Sequence, residues 1–483
     1  MGAIVAAVNK KGENVVPHVV AMLKELAHRG ADAHGIATPN SVRMAKSLDS
    51  LLTKRIESDV ALGHNFSSLL PRDSPQPVLG DGFALVFEGR FFPAPETSEP
   101  EEILKRLKSD PERQACDIIR KFEGTYVFAI ALCNKVLVGR DVIGVNSLYY
   151  GENETICAVA SERKALWTIG MKNVKSFPPG NLAIINESGF TLRPVKTVTQ
   201  PPIQTIDMES ATKHIQKLLL ESTRKLVADL DKVAVAFSGG LDSSLIAVLA
   251  KLCGVEPHLI SVGLENQPEL QSAKLAAEAM KLPLSIQTYT ISDVEQILPR
   301  TLWLIEEPDP VKVGIAVPFY WVAEIASKMG YKVLFAGQGS DELFGGYQRY
   351  LREYAKSSTA VRNAMYSDVS AAYETNFQRD TQVCSFHKVE LRLPFADPEV
   401  VNFALSLPVN LKIDSPHDAL RKRVLRQVAR NLEMPDFVVN RTKKAIQYAT
   451  GVHKALKNLS RKEGLNLNEY IDRILQKVYP TKV

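Results

Sequence analysis

Val233-Ala234-Val235-Ala236-Phe237-Ser238-Gly239-Gly240-Leu241-Asp242-Ser243-Ser244 is the stretch that decides the fold class. Its first five residues form an apolar run of the length and composition of a buried strand. Leu245 to Leu252 reads as the helix that follows. Between them lies a turn of small residues whose N–H groups and hydroxyls point toward a helix N-terminus. Unsatisfied N–H donors and the helix dipole favour an anion at such a place. Gly239 and Gly240 let the main chain come close to a phosphate, and Ser238, Ser243 and Ser244 add hydroxyls. Asp242 is placed to hold the magnesium ion that accompanies a polyphosphate. The spacing differs from the G-x-x-x-x-G-K-S/T loop. A plain Gly-Gly turn with a Ser/Asp cap is the competing reading.

Outward from this loop, strand and helix alternate. Val233–Phe237 precedes Ser244–Cys253, His258–Val262 precedes Leu270–Met280, and Leu284–Ile291 precedes Val294–Leu304. The helix Phe319–Met329 leads into a strand at Lys332–Gly337. Such alternation predicts a parallel sheet covered by helices, with ligands at the carboxyl ends of its strands. That strand runs into Gly337-Gln338-Gly339-Ser340-Asp341-Glu342-Leu343-Phe344-Gly345-Gly346-Tyr347. A structural turn accounts for the four glycines but not for the acidic pair. Asp341 is expected to face Asp242 across the sheet edge, two carboxylates suited to Mg²⁺ beside a polyphosphate. From Glu342 onward the pattern is helical, with apolar periodicity near Val400–Leu405 and Ala419–Leu432.

Before Thr197–Thr205, a polar linker containing Pro201 and Pro202, the chain reads differently. Short β-like runs (Gly2–Val8, Phe83–Phe87, Tyr126–Leu132, Val136–Val138, Asn181–Ile185) mix with helical patterns at Val15–Ala27 and Pro100–Lys108. This predicts an α+β domain with antiparallel sheets over residues 1–195, followed by the α/β domain over 206–483.

Over 483 residues, 45% hydrophobic and 23% charged, a net charge of +5 is mild and demands no nucleic-acid partner. The basic cluster Arg421-Lys422-Arg423 reads as a solvated helix face. The odd set Cys116, Cys133, Cys157, Cys253 and Cys384 contains no CxxC pair, which points to separate reduced thiols and a cytoplasmic protein. Cys116, Cys133, Cys157 and Cys253 lie among apolar neighbours and are expected to pack in cores. No segment has the apolar length needed to cross a bilayer, so no membrane is expected. A homodimer is among the assemblies the chain allows.

The loop at Ser238 resembles the pyrophosphate loop of enzymes that split ATP into AMP and pyrophosphate, and the chain as a whole resembles the asparagine synthetase family. The resemblance is carried, in order, by His28-Arg29-Gly30-Ala31-Asp32-Ala33-His34-Gly35-Ile36, Gly139-Arg140-Asp141-Val142-Ile143-Gly144-Val145 and Ala160-Ser161-Glu162-Arg163-Lys164-Ala165-Leu166. It continues through Phe177-Pro178-Pro179-Gly180, Glu390-Leu391-Arg392-Leu393-Pro394-Phe395-Ala396-Asp397 and Lys443-Lys444-Ala445. It implies an N-terminal-nucleophile-type glutaminase sandwich joined to an ATP-pyrophosphatase domain that adenylates a carboxylate and lets ammonia displace AMP. It further implies that Ser238–Ser244 hold the pyrophosphate end of ATP, and that Ala236, Val262, Ala336 and Gly337 line the adenosine. Asp242 and Asp341 would ligate Mg²⁺, and Lys443 would stabilise charge on the α-phosphate and pyrophosphate. A solvated basic tail is the competing reading of Lys443.

The chain departs from the family pattern at both sites. The nucleophilic cysteine that the family carries after the initiator Met is Gly2 here. The Arg-Leu-Ser and Asn-Gly-Glu segments are Asn65-Phe66-Ser67-Ser68 and Glu88-Gly89-Arg90. The first domain is therefore expected to hydrolyse no glutamine. In the second domain Gln338 replaces a Glu and can neither carry charge nor take up a proton as a carboxylate would. Gly314 replaces an Arg, and Lys312 is the nearest cation in sequence that could stand in. The leading expectation is an ATP-dependent amide-forming ligase, with Lys443, Asp341 and Gln338 as catalytic candidates. Its partners would be a small carboxylate and ammonia or another amine. The alternatives are a catalytically weak family member serving assembly, and an adenylating enzyme for a substrate other than aspartate. A tRNA-modifying enzyme is disfavoured by the lack of a zinc-ligand set and of an RNA-binding module.

Overall fold

The computed structural model describes residues 2–51, 56–108 and 110–480. The chain divides into two compact units, one running to Thr197 and one from Val198 onward, a break inside the proline-containing linker.

The first unit is built on two antiparallel sheets. In the seven-stranded sheet the strand Gly2–Asn9 lies centrally, paired on one side with Val60–Phe66 and on the other with Ile156–Ala160. Ala84–Phe91, Gly124–Leu132, Lys135–Arg140 and Asn181–Asn186 form most of the six-stranded sheet. Alternation along Gly2–Asn9 sends Ile4, Ala6 and Val8 into a core shared with Val86, Val127 and Val138 of the second sheet. The opposite face of the strand, Ala3, Val5 and Ala7, packs on Val19, Val20 and Leu23 of the helix Val16–Glu25. The helices Glu99–Arg106 and Pro111–Lys121 cover the outer face of the six-stranded sheet through Ile103, Ile118 and Ile119. The result is a helix–sheet–sheet–helix sandwich, as expected of the first domain.

The second unit carries a five-stranded, wholly parallel sheet. We number its strands β1 (Lys232–Ala236), β2 (Glu256–Leu264), β3 (Leu284–Tyr289), β4 (Val333–Phe335) and β5 (Glu390–Arg392). Their order is β3-β2-β1-β4-β5. Four of the five fall on the runs named above; β5 lies in a region read as helical. The direction of winding reverses between β1 and β4, the place where sheets of this kind open a crevice at their carboxyl edge. The loops following those two strands are the Ser238 loop and the Gly337–Gly339 turn. The helix after β1 begins at Leu241, four residues earlier than its apolar pattern, with Gly240 as its N-cap. Asp242, Ser243 and Ser244 therefore stand in the first helical turn and not in a loop.

Among the described residues no helix is long and apolar enough to cross a membrane. Cys157 and Cys384 are buried and Cys116 and Cys253 are intermediate, whereas Cys133 is exposed, contrary to the packing role expected of it. It lies at the Leu132–Lys135 strand turn, where apolar neighbours in sequence say nothing of burial.

Candidate active site

The crevice at the carboxyl edge is a cavity of about 600 Å³. Ala236, Ser238, Asp242, Ser243, Val262, Ala336, Gly337, Gln338, Asp341 and Lys443 all line it. Gly240 lines a small recess next to it, beside Asp242, Lys422 and Lys443. Gly239 shapes the turn at φ +66°. Like Gly239, Ser244 lines neither space; it is fully buried, and its hydroxyl has no protein partner among the described residues. The helix start accounts for this, because a first-turn residue two places after Asp242 points to the other side of the helix.

The loop is held from within and from outside. The Ser243 hydroxyl lies 3.2 Å from both the Ser238 hydroxyl and the Ser238 backbone N–H, and Gly240 N–H donates to Ser238 Oγ at 3.3 Å. Arg441 donates to the carbonyls of Ser238 and Gly239 at 3.2 and 3.0 Å, fixing the loop from a distant part of the chain.

Asp242 and Asp341 meet, as expected, but through two lysines. Lys422 Nζ lies 2.8 Å from both carboxylate oxygens of Asp242 and 2.6 Å from Asp341. Lys443 Nζ lies 2.8 Å from Asp341 and 3.7 Å from Asp242. Burial opposes the charge on Asp341, yet the two ammonium groups hold its carboxyl well below the usual range. Burial likewise works against Lys443, and Asp341 and Asp242 outweigh it, keeping its ammonium charged above its ordinary value. Lys443 is exposed along its length, but its ammonium end is engaged by the two aspartates and is not a free basic tail. Gly337 and Gly346 permit the arrangement: a Cβ at Gly337 would stand 2.9 Å from Asp242 Cβ, and one at Gly346 would stand 1.8 Å from Asp341 and 2.3 Å from Lys422.

Lys422 corrects the reading of its basic cluster as a solvated face. Lys422 and Arg421 are buried, and the helix begins only at Arg423. Both adopt left-handed backbone conformations, φ +53° and +51°, each costing about 1–3 kcal/mol in a residue with a side chain. Asp418 secures the turn by accepting from the N–H groups of Leu420 and Arg421, and Arg426 donates to the Arg421 carbonyl at 2.7 Å. The strain aims Lys422 at the two aspartates. Its sequence signal was the dense basic run itself, which periodicity alone assigned to solvent.

Farther along the cavity, Gln338 Nε2 donates to Asp380 at 2.7 Å, and fully buried Asp380 also receives both Nε and Nη2 of Arg379. A Glu at 338 would set a second carboxylate against Asp380, so the amide at this position suits its neighbour. Lys312 lines the cavity but is paired with Glu307 and donates to the Glu374 carbonyl at 3.0 Å. Gly314 is buried in the helix Pro310–Lys328; a Cβ there would stand 3.1 Å from Gln447 Cβ.

In the first unit, Gly2 sits in its strand opposite Phe66, and a Cβ at this position would fall 1.9 Å from the Asn65 carbonyl oxygen. Arg29 donates to the Gly2 carbonyl at 2.9 Å, is ion-paired with Glu88, and reaches Glu162 at 3.0 Å. The Ser161 hydroxyl completes Glu88 at 2.8 Å, and Arg90 forks onto Asp73. Asn65, fully buried, donates to Leu23 and bonds His34. Asn65, Glu88 and Arg90 are therefore each engaged by neighbouring protein groups.

A family model described as asparagine synthase matches residues 214–361 and 353–477, more than half of the chain. One described as a glutamine amidotransferase domain matches residues 67–168. A Methanocaldococcus jannaschii protein, described as a candidate glutamine-hydrolysing asparagine synthetase 1, is 29% identical over 99% of both chains. Glutamine-hydrolysing asparagine synthetase 1 of Arabidopsis thaliana is 25% identical over 90% of this chain and 75% of its own. Among solved structures, the glutamine phosphoribosylpyrophosphate amidotransferase of B. subtilis overlaps at a TM-score of 0.37 and 17% identity, over 59% of this chain and 65% of that one, and nothing is built on so slight a likeness. On the family match, and with the motifs gathered at one crevice, the chain belongs to the asparagine synthase family.

Proposed function

We propose that the second unit is an ATP-dependent amide-forming ligase. It would adenylate a carboxylate with release of pyrophosphate and pass the acyl group to ammonia or another amine with release of AMP. The observation that carries this reading is the meeting of Asp242 and Asp341 on Lys422 and Lys443 at the switch point of the parallel sheet.

The donor set fits magnesium. Asp242 and Asp341 offer hard oxygens already gathered around a cation, and no larger group of metal-binding side chains occurs among the described residues. Two carboxylates are what the protein contributes where Mg²⁺ takes its remaining ligands from phosphate and water. When bound, the ion would neutralise phosphate charge. The turn at Ser238–Ser243 would supply hydroxyls and N–H groups to the pyrophosphate end of ATP, and Ala236, Val262, Ala336 and Gly337 would flank the nucleoside. Lys443 and Lys422 would move from carboxylate to phosphate oxygens as negative charge builds on the departing pyrophosphate. Gln338 would orient substrate by hydrogen bonding and take up no proton. The expected result is Mg-dependent exchange of pyrophosphate into ATP driven by a carboxylic acid, falling at least about a hundredfold in Lys443→Ala. Failure of the protein to bind Mg·ATP in calorimetry would overturn the proposal.

We propose further that the first unit releases no glutamate from glutamine, a reading supported by Gly2 and by the closed network around Arg29. Gly2→Cys alone should restore no glutaminase and should cost about 1–3 kcal/mol by overpacking. Glutamate release and thermal melting of that variant decide both points; measurable release by the unaltered protein would sink the reading.

A further inference from the structure

The part of the cavity beyond Gln338 is where the carboxylic substrate would lie, and each of its cations already has an anionic partner. Arg379 spends Nε and Nη2 on Asp380 at 2.7 and 3.0 Å and Nη1 on the Thr375 carbonyl at 3.2 Å. Arg349 donates to Asp368 at 2.7 Å and stacks over Tyr347. Lys312 is paired with Glu307. Against these three cations stand four carboxylates. The fourth, Glu342, is buried and lines the cavity, and among the described residues its hydrogen-bond partners are neutral, the Tyr347 hydroxyl and Asn376 Nδ2 at 2.7 Å. Position 314, where the family resemblance places an arginine, is a glycine backed by Gln447.

We infer that the molecule activated here carries a single carboxyl group together with an ammonium group, and that dicarboxylates such as aspartate are refused. This inference rests on the adenylating reading given above. The carboxyl that reacts is consumed as the acyl adenylate, a mixed anhydride formed as pyrophosphate leaves, and needs only Mg·ATP and Lys443 beside it. A second carboxylate has to be received by a cation: taking Arg379 for that purpose strands the fully buried Asp380, and taking Lys312 breaks its ion pair with the partly exposed Glu307. A buried charge left without its partner is strongly unfavourable. An ammonium group, in contrast, enters a region with an excess of one carboxylate and finds Glu342 held at its edge.

The test is pyrophosphate exchange into ATP by the full-length protein. The panel is the twenty common amino acids, β-alanine, 4-aminobutyrate and succinate, and Mg·ATP binding is measured separately by calorimetry. Exchange with at least one single-carboxyl amino acid at about ten times the aspartate and glutamate rates is the expected result. Aspartate, glutamate or succinate as the best substrate overturns the inference and leaves the ligase reading standing, as does exchange with none of the single-carboxyl acids. Absence of Mg·ATP binding removes the ligase reading itself. Glu307→Gln supplies a second reading, because it frees Lys312 at a partly exposed position. Aspartate-driven exchange should rise about fivefold, and no rise in a variant that melts normally overturns the charge argument.

Discussion

Asp341 and Lys443 each hold the other charged, and this sets the pH range over which they support the fold. The folded carboxyl of Asp341 lies below its unfolded value of about 3.9, so its contribution is present above about pH 4 and is lost as pH falls further. Lys443 is shifted upward, so its contribution is complete below about pH 10.4 and is lost only as pH rises beyond its folded value. Asp341→Asn should therefore differ most from the parent in urea midpoint between about pH 5 and 10, and the gap should narrow progressively as pH falls below about 4. Lys412 behaves oppositely. Burial, aided by Arg362, pushes its ammonium down to about 7, and among the described residues the ammonium's one hydrogen-bond neighbour is Met365 Sδ at 4.0 Å. The unfolded chain takes up a proton between about pH 10.4 and 7 that the folded one does not, so stability falls across that window as pH falls. Lys412→Met should stabilise the protein by about 1–4 kcal/mol at pH 6 and remove that slope in denaturant titrations.

At the scale of elements, the short strand β5 pairs with β4 through its backbone and is anchored to a helix by one side chain. Arg392, buried, donates to Asp229 at 2.7 and 3.2 Å, to Glu390 at 2.6 Å and to the Leu226 carbonyl, tying β5 to the end of the helix Met208–Val227. Arg392→Ala should cost about 3–5 kcal/mol, read as a fall in the melting temperature of the second unit. β5 was not legible in the sequence, because three residues with charged ends show no strand period. Strands β1 to β4 were legible, because apolar runs flanked by amphipathic helices admit few other arrangements. The same limit hid Lys422. Its partner Asp242 lies 180 positions away, and only the fold shows that a basic run is a counter-charge. The loop motif gave the helix start four residues late, since Asp242-Ser243-Ser244 looks like a cap whether it precedes a helix or opens one. At the first unit, Gly2 announced a missing nucleophile, but the Arg29–Glu88–Glu162 network behind it needed three strands of structure to appear.

For the whole molecule, each unit has a hydrophobic core of its own, and a single unfolding free energy is not expected to describe both. Scanning calorimetry should resolve two transitions. Mg·ATP at about a hundred times its Kd should move only the transition of the second unit, by about 2.7 kcal/mol. A ligand-induced shift of both transitions together would show them to be one cooperative system. The main chain at Gly2 has a longer-range consequence. With the Asn65 carbonyl standing where a side chain would begin, a nucleophile cannot be seated at this position by one substitution alone. The neighbouring strand would have to withdraw first, a step harmful by itself. On the reading proposed for the first unit, position 2 is a ratchet that ties the second unit to nitrogen delivered from elsewhere.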